Sequence, residues 1–294
     1  MNVAGFEGTN RYTSQTLSRF ELSRPFPQFT GFTQFERNDG QIWYDSLQVV
    51  MNKRLSDGIS LSGNWTLAKM IEENGFKDDL AAILQKSPYT TDRRHRVTIS
   101  GVYSLPFGRD RKYMRDAGPI TEALAGGWEV AGMWLFNTGR PWDLPGNVFY
   151  VKDARLPNVE YTSTSIRAVR NCVATMSDLG VVTMQAFSVA AGCTEPNFII
   201  RPNFTGRTTE FRDDQIRRTP FYQFDINFAK MVQLSSTFRL QIRFELYNVL
   251  NQVIYDERQY VNNPTDPLFG TIDRTSVRQS NFPRYGQLGI KLIF

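Results

Sequence analysis

The 294-residue sequence contains no run of apolar residues near the roughly 20 that a membrane-spanning helix requires. This excludes a helical membrane protein, although the mean hydropathy of −0.37 is by itself typical of a soluble one. Membrane-spanning strands remain allowed, because each needs only about 9–11 residues and exposes every second side chain to lipid. The N-terminal segment also lacks a basic stretch followed by an apolar one, so we expect no signal peptide at Met1.

Residues that carry catalysis or hold cofactors are equally scarce. The one histidine, His95, has three arginines around it and no second histidine nearby, so neither a metal site nor a Ser–His–Asp triad is expected. His95 instead suggests the start of a strand near a membrane interface. The sequence contains no glycine-rich phosphate-binding loop. We therefore predict that the protein is not an enzyme and holds no cofactor and no metal.

The charge distribution argues against nucleic-acid binding. The net charge of +5 is mild, and the sequence contains neither a basic face with stacking aromatic side chains nor a recognition helix. The tightest basic cluster, residues 109–115, is interrupted by Asp110 and is interpreted as a solvated turn. No nucleic-acid partner is therefore predicted.

What the sequence does contain is strict alternation of apolar and polar residues, the pattern of a β-strand with two different faces. Residues 238–247 are the clearest case, with five apolar side chains on one face. The apolar set is Phe238, Leu240, Ile242, Phe244 and Leu246, and the polar set is Arg239, Gln241, Arg243, Glu245 and Tyr247. A strand of this kind separates lipid from water.

Six further segments alternate, the first four of them less regularly, and one near residues 29–36 does so weakly. The six are residues 43–52, 59–67, 96–105, 128–136, 222–228 and 287–294. Aromatic residues, at 13% of the chain, also favour strands. The sequence thus predicts an all-β fold, a portion of an antiparallel transmembrane β-barrel with about seven or eight meandering strands.

The connections between these segments differ in length. Short turns are predicted at residues 55–58 and 233–236, whereas residues 72–93, 139–218 and 251–282 are predicted to be long, polar, irregular loops. Outer-membrane barrels have short periplasmic turns and long extracellular loops, and these connections sort in that way if the C-terminus is periplasmic. The connection 107–126 is the exception, because it should be periplasmic yet is long.

The long loop 139–218 contains both cysteines of the chain, Cys172 and Cys193. Their closeness suits a loop-closing disulfide in an oxidising compartment, with two unrelated thiols as the alternative. The loop also contains an Arg- and Asp-rich run at residues 207–218. Short helices are predicted at residues 166–176 and 78–85.

Several segments resemble the end of TonB-dependent outer-membrane receptors, in particular the Oar-like branch that carries an N-terminal carboxypeptidase-regulatory-like domain. The segments are GQIWYDSLQVVMNKRLSDG, DRRHRVTISGVYSLPFG, GGWEVAGMWLFNTGRPW, FRLQIRFELYNVLNQ and PRYGQLGIKLIF. They span most of residues 28–294 and leave residues 1–27 as an irregular N-terminal segment. The C-terminal pattern of Leu288, Ile290, Leu292 and Phe294 resembles the signal that the barrel-assembly machinery recognises.

The resemblance implies a place in the outer membrane of a Gram-negative-type cell, contact with outer-membrane lipid, and transport of a nutrient that is not identified. Receptors of this family also have a plug domain, a TonB-contacting segment and a larger barrel, none of which is recognisable here. The chain therefore resembles only the C-terminal part of the barrel. Transport by this part alone is not expected, because TonB would act only through the absent plug.

Four charged residues are predicted to face the barrel lumen: Arg239, Arg243, Glu245 and Asp225. They would either contact a substrate or form an internal network of ion pairs and hydrogen bonds, and we favour the network. Two alternatives to the receptor interpretation remain. One is a self-contained eight-stranded outer-membrane barrel with a structural, adhesive or pore role. The other is a soluble secreted β-rich binding protein, whose apolar strand faces would pack against a second sheet.

Overall fold

A computed structural model describes most of the chain from residue 36 onward. The described residues are 36–56, 58–76, 83–109, 111–202, 207, 210–235, 237–255, 260–273 and 279–294, together with residues 7, 16, 17, 22, 26 and 29. The predicted N-terminal segment 1–27 and the weak strand near residues 29–36 lie almost entirely outside them.

Within the described residues the secondary structure is dominated by strands, with two short helices. The strands are β1 (Gln41–Ser56), β2 (Ile59–Phe76), β3 (Leu84–Pro88), β4 (His95–Ser104), β5 (Trp128–Asn137), β6 (Pro141–Asp143), β7 (Val148–Tyr150), β8 (Arg155–Tyr161), β9 (Ser165–Val169), β10 (Val173–Met176), β11 (Val182–Met184), β12 (Phe198–Ile200), β13 (Arg212–Arg217), β14 (Phe221–Gln233), β15 (Arg239–Tyr247), β16 (Thr271–Asp273) and β17 (Tyr285–Ile293). The helices are α1 (Pro119–Ala125) and α2 (Ala186–Ala190). No helix in this part of the chain is long and apolar enough to cross a membrane.

Seven long strands form one antiparallel sheet in the order β1-β2-β4-β5-β14-β15-β17, and the short strand β3 pairs with the far half of β2. Each neighbour in the sheet is thus the next long strand along the chain, which is a meander. All seven segments predicted to be strands, including the four less regular ones, are strands of this sheet, so the predicted all-β antiparallel fold class is confirmed.

The pairing register places the apolar sets of all seven strands on the same side of the sheet. Phe244 of β15 lies opposite Phe228 of β14 and Leu288 of β17. Phe228 in turn lies opposite Val130 of β5, and Val130 lies opposite Tyr103 of β4. A slip of one residue in any strand would move its whole apolar set to the other side. We call the two sides the apolar face and the polar face.

Within the described residues, neither face of this sheet is packed against a second layer of protein. Among the described side chains of the seven long strands, only Ala68 and Lys230 are buried. On the apolar face of β17, Leu288, Ile290 and Leu292 are all exposed. An apolar surface of this extent indicates contact with a membrane or a partner. The packing against a second sheet that a soluble protein would require is absent from the described residues.

The sheet is open within the described residues, because β1 and β17 each pair with only one neighbour. Seven is an odd number, so β1 and β17 both run from the end with long connections to the end with short turns. Joining them directly would create a parallel pair, whereas bacterial outer-membrane barrels are antiparallel with an even number of strands. An antiparallel closure therefore requires an odd number of additional strands.

Residues 139–218 are not an irregular loop, and this prediction is wrong. Together with residues 260–273 they fold around a hydrophobic core of their own into a unit that we call the loop domain. Its buried core residues are Trp142, Leu144, Val148, Ala154, Val169, Val173, Phe198, Ile216 and Phe269. Around them lie a four-stranded sheet (β11-β10-β12-β7), a three-stranded sheet (β16-β9-β8) and the pair β13-β6. These strands have only 3 to 7 residues, too few for a clear alternation.

Both predicted short helices also need correction. Residues 166–176 lie mainly in β9 and β10, where Val169 and Val173 are buried, and β-branched residues of this kind favour strands. In the second segment, residues 78–82 lie outside the described part, and Leu84 begins strand β3. Residues 72–93 are likewise not irregular, because β2 continues to Phe76 and β3 returns beside it.

Candidate functional site

The four residues predicted to face the lumen all lie on the polar face of the sheet, and Glu245 is the centre of a small network there. Its carboxylate accepts a hydrogen bond from the Tyr247 hydroxyl at 2.9 Å and another from the Gln287 side-chain amide. The Arg243 guanidinium lies 3.6 Å from the same carboxylate. Arg243 and Glu245, which are two residues apart on the same face of β15, therefore lie close together. This is the arrangement expected of an internal network of ion pairs and hydrogen bonds.

Asp225 has a different role, since it holds the chain where β15 ends. Its carboxylate accepts hydrogen bonds from the Gln223 side-chain amide at 2.9 Å and from the backbone N–H of Asn248 at 2.8 Å. Asn248 adopts a φ of 49°, which asparagine tolerates better than most residues. Its side-chain amide then donates to the carbonyl oxygens of Gln252 and Phe282, at 2.8 and 3.0 Å. Sequence reasoning missed Asn248, although an asparagine directly after an alternating strand is a turn signal.

Arg239 stands apart from the other three. It lies at the beginning of β15, opposite Gln233 and Ile293, and its side chain is exposed. Within the described part of the chain its guanidinium forms no ion pair. The four predicted residues thus share a face but do not converge on one site.

A cluster of buried and partly buried charges, which sequence reasoning also missed, joins the loop domain to the sheet. We call Asp92, Arg94, Asp214 and Arg217 the hinge cluster. Arg217 donates to Asp92 at 2.6 Å and to Asp214 at 2.5 Å, and Arg94 pairs with the same Asp214. Asp92 also accepts the backbone N–H of Met70 in β2, at 2.8 Å. Since Met70 belongs to the sheet and Arg217 to the loop domain, the cluster fixes one against the other.

Arg212 makes a second connection of the same kind. It pairs with Glu72 on the polar face of β2 and, at 2.5 Å, with Asp143 of β6. It also donates to the carbonyl oxygen of Pro88 at 3.2 Å. The Arg- and Asp-rich run noted in the sequence therefore lies at the junction of sheet and loop domain.

The loop domain contains an open cavity of 440 Å³ beside its disulfide. Cys172 and Cys193 are joined with a Cα–Cα distance of 5.7 Å, and both line the cavity. Lys152, Arg167 and Glu195 are part of the same wall. The Lys152 ammonium lies 2.6 Å from the Glu195 carboxylate and lowers the pKa of that carboxyl.

Asp153, on the same wall, is held by its neighbour Arg155. The hydrogen bonds from this guanidinium keep the pKa of the Asp153 carboxyl well below its usual range. Both Asp153 and Glu195 are therefore ionised at neutral pH, and each has a cation of its own. The cavity is a charged, water-accessible recess in which most acids are already paired.

Breaking the disulfide is expected to loosen the loop domain without altering the sheet. The bond closes a segment with a sequence separation of 21 residues. Replacing both Cys172 and Cys193 by serine should lower the stability of the domain by about 3 kcal/mol, because the unfolded chain regains conformational freedom. The urea concentration needed for proteolysis within residues 139–218 measures this loss. A reducing agent should have the same effect on the native protein and none on the double variant.

His95 is the first residue of β4, which confirms its predicted place at the start of a strand. Its ring stacks on Trp65 of β2 with centroids 6.0 Å apart, and the Trp65 indole N–H donates to its Nδ1 at 3.3 Å. The described residues contain no group of three side chains suited to hold a metal ion. His95 therefore has a packing partner on the apolar face.

Comparison with known proteins decides the family. A family model described as "Outer membrane beta barrel domain" matches residues 1–287. The chain belongs to this family. Neither the curated proteins nor the solved structures yielded a match. The outer-membrane barrel family assigns the protein to the outer membrane and overturns the soluble alternative.

Membership of the family also gives the sheet an orientation. In outer-membrane barrels the apolar band faces lipid and the other face lines the interior, with short turns in the periplasm and long loops outside. The connections at residues 57–58 and 234–238 are the short ones, so their end of the barrel is periplasmic. The loop domain is then extracellular.

A charge on the apolar face of the barrel should be far more damaging than the same charge on the polar face. Ile242 and Gln241 are consecutive in β15 and point to opposite faces. Ile242→Arg is expected to lower the free energy of unfolding in a bilayer by about 1–2 kcal/mol, because Ile242 is the cross-strand partner of Lys230 toward the periplasmic border, where a lipid-facing charge costs less than at the membrane midplane. Gln241→Arg, the matched control, should change it little. Equal effects of the two substitutions in urea titrations of the reconstituted barrel would contradict the assignment of faces.

Proposed function

We propose that this chain is the C-terminal barrel portion of a TonB-dependent outer-membrane receptor that imports a nutrient. The proposal rests mainly on the sheet of seven long strands, which is open and has an unpacked polar face within the part of the chain that the structure describes. Its role is transport and not catalysis. The segments that resemble such receptors include β1, β4, β5, β15 and β17, so the resemblance coincides with five of the seven long strands of the sheet.

The direction of the edge strands is compatible with this proposal, because it requires further strands to complete the barrel. Barrels of bacterial outer membranes have an even number of strands, about 22 in the transporters with a plugged lumen. Subtracting the seven described strands from any even total leaves an odd number. An odd number of further strands is what an antiparallel closure between β1 and β17 demands. In lipid the unpaired backbone groups of both edges must be satisfied in this way.

The unpacked polar face supports a wide lumen. In a closed barrel of eight strands the interior is just wide enough for side chains to fill it. Here Tyr44, Val50, Val102 and Met133 point to the polar face, and all four are exposed. This arrangement fits a barrel that encloses a plug or a channel. The self-contained eight-stranded barrel is supported only by strand number, since one additional strand would also close it antiparallel.

The proposal implies four partners. The barrel-assembly machinery would recognise the C-terminal strand, in which Leu288, Ile290 and Leu292 share the apolar face and Phe294 follows. A plug domain and the remaining strands would complete the receptor. TonB would act through that plug, and outer-membrane lipid would surround the apolar face.

The size of the polypeptide in the outer membrane tests the proposal. A short epitope inserted at Leu179, an 88% exposed turn residue of the loop domain, would mark the chain without disturbing its core. In outer membranes of the source cells, a receptor predicts a tagged polypeptide far larger than 33.8 kDa that can be cross-linked to TonB. A heat-modifiable band of about this mass that does not cross-link to TonB would refute the receptor and favour the small barrel.

A further inference from the structure

The connection between β4 and β5 is the long periplasmic one, and the structure shows where its helix lies. The indole N–H of Trp128 donates to the carbonyl oxygen of Leu124 at 2.9 Å. The Lys230 ammonium donates to the carbonyl oxygen of Gly126 and lies 5.1 Å from the Trp128 ring. Trp128 and Lys230 are cross-strand partners, and Lys230 is also paired with Ile242 of the apolar face. Helix α1 therefore ends against the lipid side of the barrel, at its periplasmic border.

This position explains why Lys230 is buried, as only one other described side chain of the seven long strands is. Its long aliphatic stem lies on the apolar face, and its ammonium reaches the backbone of the connection. At the same time α1 presents Ile120 and Leu124 to the outside, with 77% and 71% of their surfaces exposed. Residues four apart lie on the same side of a helix, so the two form one apolar edge.

A cavity of 530 Å³ lies beside this connection and has two kinds of wall. One wall is apolar and consists of Ile59 and Tyr103, which are cross-strand partners on the apolar face. The other wall is formed by Arg111, Lys112 and Tyr113. Within the described part of the chain neither cation has an acidic partner, and the Lys112 ammonium lies 5.4 Å from the Tyr113 ring. Free cations above an apolar wall match the chemistry of a phospholipid, with a phosphate at one end and acyl chains at the other.

We propose that Arg111, Lys112 and Tyr113 of this connection form, together with Ile59 and Tyr103 of the sheet, a binding site for anionic phospholipid of the periplasmic leaflet. Arg111 and Lys112 hold the headgroup phosphate, and an acyl chain lies along Ile59 and Tyr103. The occupant is lipid and not a protein because the cavity continues the surface that already faces the bilayer. The site does not depend on the transport role, since any barrel with this connection would have it.

Helix α1 strengthens this attachment by lying in the membrane interface. Amphipathic segments with basic neighbours bind there through buried apolar area and attraction to anionic headgroups. Ile120 and Leu124 supply the apolar part, and the basic residues Arg109, Arg111, Lys112 and Arg115 supply the charge. A cluster that the sequence suggested to be a solvated turn thus becomes the polar half of a membrane anchor.

Lipid affinity is the first test. The complete polypeptide, purified from outer membranes, is titrated with phosphatidylglycerol and separately with phosphatidylethanolamine, and bound lipid is counted by native mass spectrometry. Each basic residue near an anionic membrane surface contributes about fivefold in affinity, so Arg111→Gln with Lys112→Gln should weaken phosphatidylglycerol binding about 25-fold. The matched control, Arg167→Gln with Arg170→Gln, removes the same charge from the loop domain and should leave binding unchanged. The proposal would be overturned if both double variants bound phosphatidylglycerol equally well. It would also be overturned if the Arg111→Gln, Lys112→Gln variant lost as much affinity for phosphatidylethanolamine as for phosphatidylglycerol.

The depth of α1 is the second test and needs no charge substitution. A nitroxide is attached at Leu124→Cys, and the two natural cysteines do not react because they are joined. In vesicles containing phosphatidylglycerol the label should collide with oxygen more often than with a water-soluble nickel complex. A label at Leu179→Cys should show the reverse. A label at position 124 that behaves like the one at position 179 would overturn the proposal. Immobilisation of the label at position 124 in whole outer membranes but not in vesicles would also overturn it, because it would indicate a protein partner.

Discussion

Replacing Trp142 with alanine is expected to unfold the loop domain while the barrel sheet remains folded. Trp142 is 2% exposed and lies at the centre of the domain core. Its ring is 5.4 Å from that of Phe269 and 6.4 Å from that of Phe198, measured between centroids. Removing a buried tryptophan side chain costs about 3–5 kcal/mol, because its packing contacts are lost and a cavity remains. A small domain has only about 5–15 kcal/mol of stability in total.

Limited proteolysis of outer-membrane vesicles measures this effect. Trp142→Ala should be cleaved within residues 139–218 at much lower protease concentrations than the native protein. Its heat-modifiable migration on gels, which reports the barrel, should not change. Leu179→Ala is the control, because that side chain is 88% exposed and packs against little. If the two variants were cleaved at the same rate, the core described here would not hold the domain together.

Replacing Asp92 with alanine should release the loop domain from the sheet. The Asp92 side chain is only 1% exposed, and it is bonded both to Arg217 and to the backbone N–H of Met70. Its removal leaves a largely buried guanidinium with Asp214 alone and leaves the Met70 N–H without its acceptor. Truncating one partner of a buried ion pair costs about 3–5 kcal/mol, because the other charge is left uncompensated.

A double-mutant cycle separates this electrostatic loss from a simple loss of packing. Asp92→Ala with Arg217→Met removes both charges and should recover part of the stability lost by Asp92→Ala alone. Hydrogen exchange of the Met70 and Ala68 amides in β2 reports the junction directly. Glu195→Ala serves as control, because the Lys152–Glu195 pair is exposed and such pairs contribute about 0–1 kcal/mol. An effect of Asp92→Ala no larger than that of Glu195→Ala would contradict the role of the hinge cluster.

The loop domain could not be predicted because its core joins residues that are far apart in the chain. Trp142, Phe198 and Phe269 are separated by more than 50 residues from one another, and each stands in a strand or turn with no alternation of its own. The hinge cluster escaped notice for the same reason, since Asp92 and Arg217 meet across 125 residues. The composition of residues 139–218 predicts a polar loop. This prediction is correct for the surface of the loop domain and wrong for its interior.

The position of α1 could not be predicted from the sequence for a different reason. From the sequence, residues 107–126 could only be identified as a periplasmic connection of unusual length. Two hydrogen bonds, from Trp128 to Leu124 and from Lys230 to Gly126, place the helix on the lipid side of the barrel. The direction in which a short helix leaves a strand depends on such individual contacts, and no periodicity in the sequence reports them.

The sequence by itself determined the seven long strands, their two faces and the all-β antiparallel class. The alternation of apolar and polar residues is a local property of the sequence. It appears in every strand that has one face toward lipid or a core and the other toward water. The sequence also identified Cys172 and Cys193 as candidates for a disulfide. The tertiary structure alone decided that residues 139–218 form a domain, how that domain is fixed to the sheet, and where the periplasmic helix lies. Those features rest on contacts between distant residues, which only the folded chain brings within reach of one another.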